Sequence, residues 1–218
     1  MLIVGAKGFA KEVLEVLYQG TAPAAVAFYD DLSPGLPTAL FGVFPVLRTL
    51  EEAQLWLAHD PAFALGVGSP RVRRHLAEKM RSLGGVLTST VSPKATVGRF
   101  GNVLGEGCNV MSGAVLTSDI TLGEGVLVNL NCTIGHDVVV GDYCELSPGV
   151  HLSGHAVLGP NCVLGTGAVV LPGVHIGANT IIGAGSVVTK NVEADVVAVG
   201  APAKVIKRVL PPAAPAHA

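Results

Sequence analysis

A histidine followed directly by an acid stands in the middle of an apolar, regular part of the sequence. His136 and Asp137 lie in the segment CTIGHDVVVGDY, residues 132–143. An imidazole can take a proton near neutral pH, and a neighbouring carboxylate stabilises the imidazolium that forms. These residue types suit a general base, but a solvated corner of a packed repeat would contain them equally well.

A repeat of six residues runs through the second half of the chain. Every sixth residue from Val110 to Val188 is aliphatic, fourteen in a row, in a chain of 218 residues that is 50% hydrophobic. Chance would give such a run about once in ten thousand sequences. A triangular solenoid of short parallel strands needs this period, with about eighteen residues per coil. We therefore predict a parallel β-helix of about five to six coils, with the aliphatic residues inside.

The six-residue register also places the small residues. Glycines follow the aliphatic residue directly, where we expect the chain to turn: Gly123, Gly135, Gly141, Gly159 and Gly165. The cysteines fall on a small interior position: Cys132, Cys144, Cys162 and, phased from Leu104, Cys108. No pair has the spacing of a metal knuckle, so we interpret them as buried apolar residues. Unpaired interior thiols fit a reducing compartment, and we expect a cytoplasmic protein.

The composition argues against several classes of protein. A formal net charge of −2 and 5% aromatic residues offer neither a basic surface nor a stacking surface for nucleic acid. Residues 146–189 include no Asp, Glu, Lys or Arg, but glycine, proline or asparagine interrupts them every few positions, which a bilayer would not tolerate. The first residues lack the basic leader and cleavage site of a signal peptide. We expect a soluble protein.

Strands and helices alternate in the first ninety residues. The segment MLIVGAKGFAKEVLEVL predicts a buried strand, a glycine turn and an amphipathic helix; AFALGVGSPRVRRHLAEKM predicts the same arrangement again. Between them, AAVAFYDD predicts a strand that ends in paired aspartates. This pattern predicts a small parallel sheet with its ligand at the carboxyl ends of the strands, where helix amino termini after Gly8 and Gly68 suit phosphate. The turn from Gly5 to Phe9 is only a truncated dinucleotide fingerprint, and many such turns serve packing alone.

Taken together, these motifs resemble one family of bacterial enzymes. The glycine turn, Asp30-Asp31 after the second strand, the turn from Gly66 to Ser69 and the hexapeptide coils resemble the sugar O- and N-acyltransferases. Members of that family acetylate sialic acids or nucleotide-linked amino sugars, and the resemblance of the coils covers residues 91–193. It implies three parts: a Rossmann-like α/β domain at 1–88, a left-handed parallel β-helix at 89–195, and a closing segment with a disordered tail at 196–218.

The resemblance also implies where the acceptor substrate binds. In that family the amino-terminal domain holds the nucleotide sugar. Matched residue by residue, the substrate-binding positions of this chain are Lys7, Gly8, Phe9, Asp30, Asp31, Gly68 and Ser69. Several relatives have histidine where this chain has Phe9, so the contact to the sugar must differ.

For acyl transfer, the resemblance makes His136 the general base and Asp137 the acid that raises its basicity, where relatives often have glutamate. Gly154, one coil above His136, would offer its backbone N–H to the thioester oxygen. The implied acyl donor is acetyl-CoA, attacked directly and without a metal, in a homotrimer. The implied contacts to acetyl-CoA are Glu145, Thr166, Ala184 and Lys204. Relatives have histidine at the position of Glu145, and a basic cap on the solenoid would explain Lys204 equally well.

The sequence therefore predicts an acetyl-CoA-dependent acetyltransferase that acts on a nucleotide-linked amino sugar for surface glycans or glycoproteins. One alternative is an O-acetyltransferase acting on sialic acid or another free sugar; another is a non-catalytic sugar-binding or assembly module. A third is a γ-type carbonic anhydrase, which resembles this chain in its coils and binds zinc through three histidines, two of them close together and the third a whole number of coils away. His151 and His155 follow His136 by fifteen and nineteen residues, so their spacing argues against that zinc site.

Overall fold

The computed structural model describes residues 1–21 and 23–209. Two units follow each other along the chain: a six-stranded sheet with three helices, and a series of two-residue strands wound into coils. The predicted disordered tail, residues 210–218, lies outside the described residues. Within the described part of the chain, no helix is both long enough and apolar enough to cross a membrane.

The amino-terminal sheet is parallel except for one edge strand. Its strand order is β3-β4-β2-β1-β5-β6, and only β3 runs antiparallel to its neighbour β4. The elements are β1 (Leu2–Val4), α1 (Gly8–Leu17), β2 (Ala27–Tyr29), β3 (Ala39–Leu40), β4 (Phe44–Leu47), α2 (Leu50–His59), β5 (Ala62–Leu65), α3 (Pro70–Ser82) and β6 (Val86–Leu87). Because parallel strands end at the same edge, the turns after β1, β2 and β5 meet there.

Helices cover both faces of this sheet. Leu2 and Val4 belong to an apolar cluster with residues of α2 and α3, whereas Ile3 packs with α1 on the other face. The side chains of Thr49 and Glu52 form a reciprocal capping box that begins α2. The predicted alternation of strand, turn and helix is therefore present, with its core on both sides of the sheet.

The second unit is a parallel β-helix with three faces, and each coil contributes one short strand to each face. The first face contains β7 (Thr90–Val91), β10 (Asn109–Val110), β13 (Leu127–Val128), β16 (Glu145–Leu146), β19 (Val163–Leu164), β22 (Ile181–Ile182), β24 (Val196–Val199) and the antiparallel β25 (Lys204–Arg208). The second face contains β8 (Thr96–Val97), β11 (Val115–Leu116), β14 (Thr133–Ile134), β17 (His151–Leu152), β20 (Val169–Val170) and β23 (Val187–Val188). The third face contains β9 (Val103–Leu104), β12 (Thr121–Leu122), β15 (Val139–Val140), β18 (Val157–Leu158) and β21 (His175–Ile176).

The interior of the β-helix is filled as the six-residue period predicts. All fourteen aliphatic positions from Val110 to Val188 are buried, each with 2% or less of its surface exposed. The four cysteines are buried and unpaired. Burial raises the pKa of the Cys108 and Cys132 thiols to about 11, so both stay protonated at neutral pH. The predicted interior position of the cysteines is confirmed, and their purely structural role stays a prediction.

The glycines after the aliphatic positions allow adjacent coils to pack closely. A Cβ at Gly141, Gly159 or Gly165 would lie 2.6 Å from a backbone nitrogen of the next coil, which is too close for two such atoms. The left-handed backbone conformation occurs two residues later, for example at Asp137 (φ 58°) and Asn161 (φ 60°). The predicted position of the turns is right, but these glycines are required by the close approach of the next coil and not by their own backbone conformation.

A buried arginine joins the two units. Arg73 on α3 is fully buried, and it donates to the carbonyl oxygen of Val67 at 2.9 Å. It also donates to the carbonyl oxygen of Gly125 at 2.9 Å and to Oδ1 of Asn109 at 2.8 Å. Burial lowers the pKa of Arg73 to about 10, so the guanidinium is charged at neutral pH. One side chain thus ties the turn after β5 to the coils.

Replacing Cys132 by alanine should cost stability and not chemistry. The thiol is buried and donates to the carbonyl oxygen of Ser147 at 3.2 Å. Losing it leaves a small cavity, and we expect the free energy of unfolding to fall by about 1 kcal/mol. Thermal unfolding measures this change. A variant with an unchanged melting temperature and no activity would show instead that Cys132 takes part in the reaction.

Candidate active site

The histidine and acid of the opening motif form a bonded pair on the surface of the β-helix. His136 and Asp137 lie in the turn from β14 to β15, and both side chains are exposed. Nδ1 of His136 lies 2.7 Å from Oδ2 of Asp137. A carboxylate can only accept, so Nδ1 carries the proton and the neutral imidazole keeps its lone pair on Nε2. The pair is oriented as a general base requires.

The free nitrogen of His136 lies against Gly154 of the next coil. A Cβ at Gly154 would be 2.6 Å from Nε2 of His136, so the imidazole covers the place where a side chain would stand. The N–H of Gly154 donates no hydrogen bond to another described residue. The N–H of His136 likewise donates no hydrogen bond to another described residue. Gly154 differs from it because the imidazole of His136 lies against it. A proton acceptor and a free backbone donor therefore stand side by side.

A second histidine completes this corner. His155 contacts the ring of His136 edge-on, with 5.0 Å between ring centroids, and its Nε2 lies 3.8 Å from Oδ2 of Asp137. The side chains of His136, Asp137 and His155 each place one potential metal-ligand atom within 4.8 Å of the other two. Among the described residues, this is the group close enough together to hold a metal ion. The sequence gave no sign of the contact between His155 and Asp137.

A cavity of about 530 Å³ lies at the carboxyl ends of β1, β2 and β5, as predicted for a parallel sheet. Its volume is that of a site for a small molecule. It is lined by the turns after these three strands and by one side of α3. The polar side chains in its lining are Lys7, Tyr29, Asp30, Asp31, Ser33, Arg71, His75 and Lys79.

The two aspartates of the cavity have different partners. Asp30 organises the turns, since its Oδ2 accepts from the N–H of Ala6 and its Oδ1 from the N–H of Ser33. Oδ2 of Asp31 accepts from Tyr29 at 2.8 Å and from Lys79 at 2.6 Å. Burial acts to raise the pKa of Asp31, but these two hydrogen bonds outweigh it and the pKa is lowered. Oδ1 of Asp31 receives no hydrogen bond from the described residues, so this oxygen can accept one from a ligand.

The predicted substrate residues do not all reach this cavity. Lys7, Asp30 and Asp31 line it, whereas Gly8, Phe9, Gly68 and Ser69 are not among its lining residues. Phe9 packs against the cluster of Val16, Met111 and Leu127 at the junction with the β-helix. Sequence reasoning missed the α3 side chains in the lining, Arg71, His75 and Lys79. These three residues are four apart on a helix that follows a glycine turn, and this spacing could have predicted that they share the helix face toward the cavity.

The predicted acetyl-CoA residues lie on other parts of the β-helix than the base. Thr166 and Ala184 occupy equivalent turns between the first and second faces, whereas His136 and Gly154 occupy turns between the second and third faces. Glu145 lies on the first face, and Lys204 on the exposed strand β25. A single chain therefore does not bring these two groups of residues to one corner.

Two family models match this chain. Residues 1–80 match the PglD N-terminal domain, and residues 155–190 match the bacterial transferase hexapeptide of six repeats. A search of curated proteins finds no match.

Solved structures match almost the whole chain. PerB from Caulobacter crescentus, in complex with CoA and GDP-perosamine, is 33% identical, with 94% of this chain and 96% of that chain covered and a TM-score of 0.84. The acetyltransferase domain of PglB from Neisseria gonorrhoeae, in complex with acetyl coenzyme A, is 31% identical, with 94% and 98% covered and a TM-score of 0.83. The chain belongs to the hexapeptide-repeat sugar acyltransferases.

Membership of this family confirms three predictions. The fold is an amino-terminal α/β domain followed by a left-handed β-helix, and the protein is an acyltransferase. Acetyl-CoA is confirmed as the co-substrate, in agreement with the CoA and acetyl-CoA in the structures of the relatives. WeeI from Acinetobacter baumannii, 30% identical over 94% of this chain and 98% of that chain with a TM-score of 0.84, has the same architecture.

Proposed function

We propose that the chain transfers the acetyl group of acetyl-CoA to the amine of a nucleotide-linked amino sugar, with His136 as the general base. The observation that carries this proposal is the imidazole of His136, held through Nδ1 by Asp137 and lying over Gly154. The cavity of the amino-terminal sheet supports a nucleotide-bearing acceptor. PerB, which is in complex with CoA and GDP-perosamine, supports an amino sugar as that acceptor.

The chemistry follows from the orientation of the pair. Nε2 of His136 takes a proton from the amine while the amine nitrogen bonds to the thioester carbon. Asp137 stabilises the imidazolium that forms, and the N–H of Gly154 donates to the oxygen on which charge develops. When the carbon–sulfur bond breaks, His136 returns the proton to the thiolate of CoA. The cysteines are buried in the interior of the β-helix and take no part, so no covalent acyl-enzyme forms.

The cavity can hold the nucleotide part of the acceptor. Lys7 and Arg71 bring positive charge to its lining, and the amino termini of α1 and α3 lie at the same edge of the sheet. Cations and helix amino termini both suit phosphate. The free Oδ1 of Asp31 can accept a hydrogen bond from the ribose or the base.

A substrate panel tests the proposed function. Purified protein is mixed with acetyl-CoA and nucleotide-linked amino sugars, and free CoA thiol is measured; nucleotide sugars with a hydroxyl in place of the amine are the matched controls. We expect thiol release with at least one amino sugar and none with its hydroxyl counterpart. Release with free sialic acid alone would favour the O-acetyltransferase alternative.

We further propose a homotrimer in which each active site lies between subunits. His136 and Thr166 lie at different corners of one chain, and this supports the trimer because a neighbouring subunit could bring its Thr166 to the corner of His136. Exposed valines on the second and third faces, Val115 and Val139, offer apolar surface for such contacts.

Light scattering tests the assembly, and we expect the mass of three chains. Mixing His136→Ala protein with Thr166→Trp protein, after exchange of subunits, should restore part of the activity that each lacks alone. A stable and active monomer would contradict this assembly. The buried, unpaired cysteines also support our proposal that the protein works in the reducing cytoplasm.

A further inference from the structure

The carboxylate of Glu145 lies at the junction of the two units. Glu145 stands on the first face, directly above Leu127 in the strand register. A Cβ at Gly68 would be 3.1 Å from Oε1 of Glu145, so the carboxylate lies against the turn after β5. The side chain is partly buried, and no described residue donates a hydrogen bond to it. Burial raises the pKa of Glu145, and the charge of Arg73 only partly opposes this.

Two of the three turns that line the cavity, those after β1 and β5, meet the first face at this place. The turn after β5 lines the cavity through Gly66 and Val67, and its next residue, Gly68, touches Glu145. The turn after β1 lines the cavity through Lys7, and Phe9 beyond it packs with Leu127. Glu145 therefore stands beside the wall of the cavity, one residue of the turn after β5 beyond its lining, where the amino-terminal unit meets the β-helix.

We propose that Glu145 accepts hydrogen bonds from the amino group of the acceptor sugar and thereby selects amino sugars over hydroxyl sugars. The inference rests on the proposed function and extends it to the choice of acceptor. A partly buried carboxylate without a donor is unfavourable, and an amino group supplies the missing one. The aspartates of the cavity are less suited, because Asp30 is used by the turns and Asp31 already holds Lys79 and Tyr29.

The number of protons on the attacking atom of the sugar explains why Glu145 would favour an amine over a hydroxyl. In the proposed trimer, an amine would have one N–H to give to His136 of a neighbouring subunit and a second to donate to Glu145. A sugar hydroxyl has a single proton, so it can satisfy only one of these two groups. A hydroxyl at that carbon leaves either the base or the buried carboxylate without its partner, which is costly. This role differs from the contact with acetyl-CoA that the family resemblance implies for Glu145.

The test is a comparison of binding by Glu145→Gln and the natural protein, measured by calorimetry. The ligands are a nucleotide-linked amino sugar, its hydroxyl counterpart and acetyl-CoA. We expect the variant to bind the amino sugar about tenfold to a hundredfold more weakly, the usual effect of a hydrogen bond to a charged group. Binding of the hydroxyl sugar and of acetyl-CoA should stay within about twofold. The melting temperature should not fall, because glutamine removes a partly buried charge.

A matched control is Glu106→Gln, which removes an exposed carboxylate paired with Arg81 and should leave all three affinities unchanged. Equal weakening of the amino and hydroxyl ligands, or no weakening of either, would overturn the inference. Weaker binding of acetyl-CoA alone would overturn it too and place Glu145 on the donor side. Natural protein that transfers no acetyl group to any amino sugar would refute the proposed function, while the ratio of the two affinities would still decide the role of Glu145.

Discussion

His136→Ala protein should turn over about a hundredfold or more slowly than the natural protein, because the imidazole takes the proton of the amine during attack. The KM values for acetyl-CoA and for the nucleotide sugar should be nearly unchanged. The imidazole accepts a proton in the transition state and contributes little to binding of either substrate, so its loss lowers kcat. Steady-state rates of CoA thiol release measure both quantities.

The order of severity among neighbouring variants makes this prediction sharper. His151→Ala is the matched control, because His151 is an exposed histidine of the same β-helix, bonded to Oγ1 of Thr133 and outside the proposed chemistry. Asp137→Asn should lose less activity than His136→Ala, and more than the His151 or His155 variants. Near-normal turnover by His136→Ala protein would remove His136 from the mechanism and make His155 the base to test next.

Gly154→Ala should lower kcat by about a hundredfold, the cost of a reacting group displaced by about 1 Å. A Cβ at this position would overlap the imidazole of His136, with only 2.6 Å to Nε2. The ring must move away from Gly154, and the free N–H and the proton acceptor then no longer stand side by side. Rates of thiol release at saturating substrates measure the loss.

The fold should not suffer from this change. Equivalent turn positions hold His136, Thr166 and Ala184, so the backbone accepts a side chain there. We expect the melting temperature of Gly154→Ala protein to be no lower than that of the natural protein. Full activity of Gly154→Ala protein would show that contact between these residues is not needed.

The sequence predicted the β-helix well because its fold repeats a local rule. Each coil buries the same position against the coils above and below, so six-residue spacing alone identified interior residues such as Val110 and Leu146. The reason for glycines such as Gly141 was missed, because it depends on the distance between stacked coils. That distance belongs to the assembled solenoid and leaves no separate mark on one hexapeptide.

The candidate site was predictable only in part. His136 and Asp137 are adjacent in sequence, so one local turn is enough to pair their side chains. The family motif was enough to recognise the pair. The contact of His155 with Asp137 depends on which residue of the next turn adopts the left-handed conformation, φ 60° at His155. The approach of Glu145 to Gly68 depends on how the two units pack, which Arg73 fixes through a buried contact. Such contacts join distant parts of the chain and have no periodic signal.

Chemical rescue of His136→Ala protein by imidazole tests the central claim most directly. His136 is 60% exposed in the chain, so a small base has access to its place beside Gly154. We predict that turnover with acetyl-CoA and the amino sugar nucleotide rises in proportion to added neutral imidazole, and rises more with more basic methylimidazoles. A rate that stays flat while both substrates still bind normally would contradict His136 as the group that takes the proton.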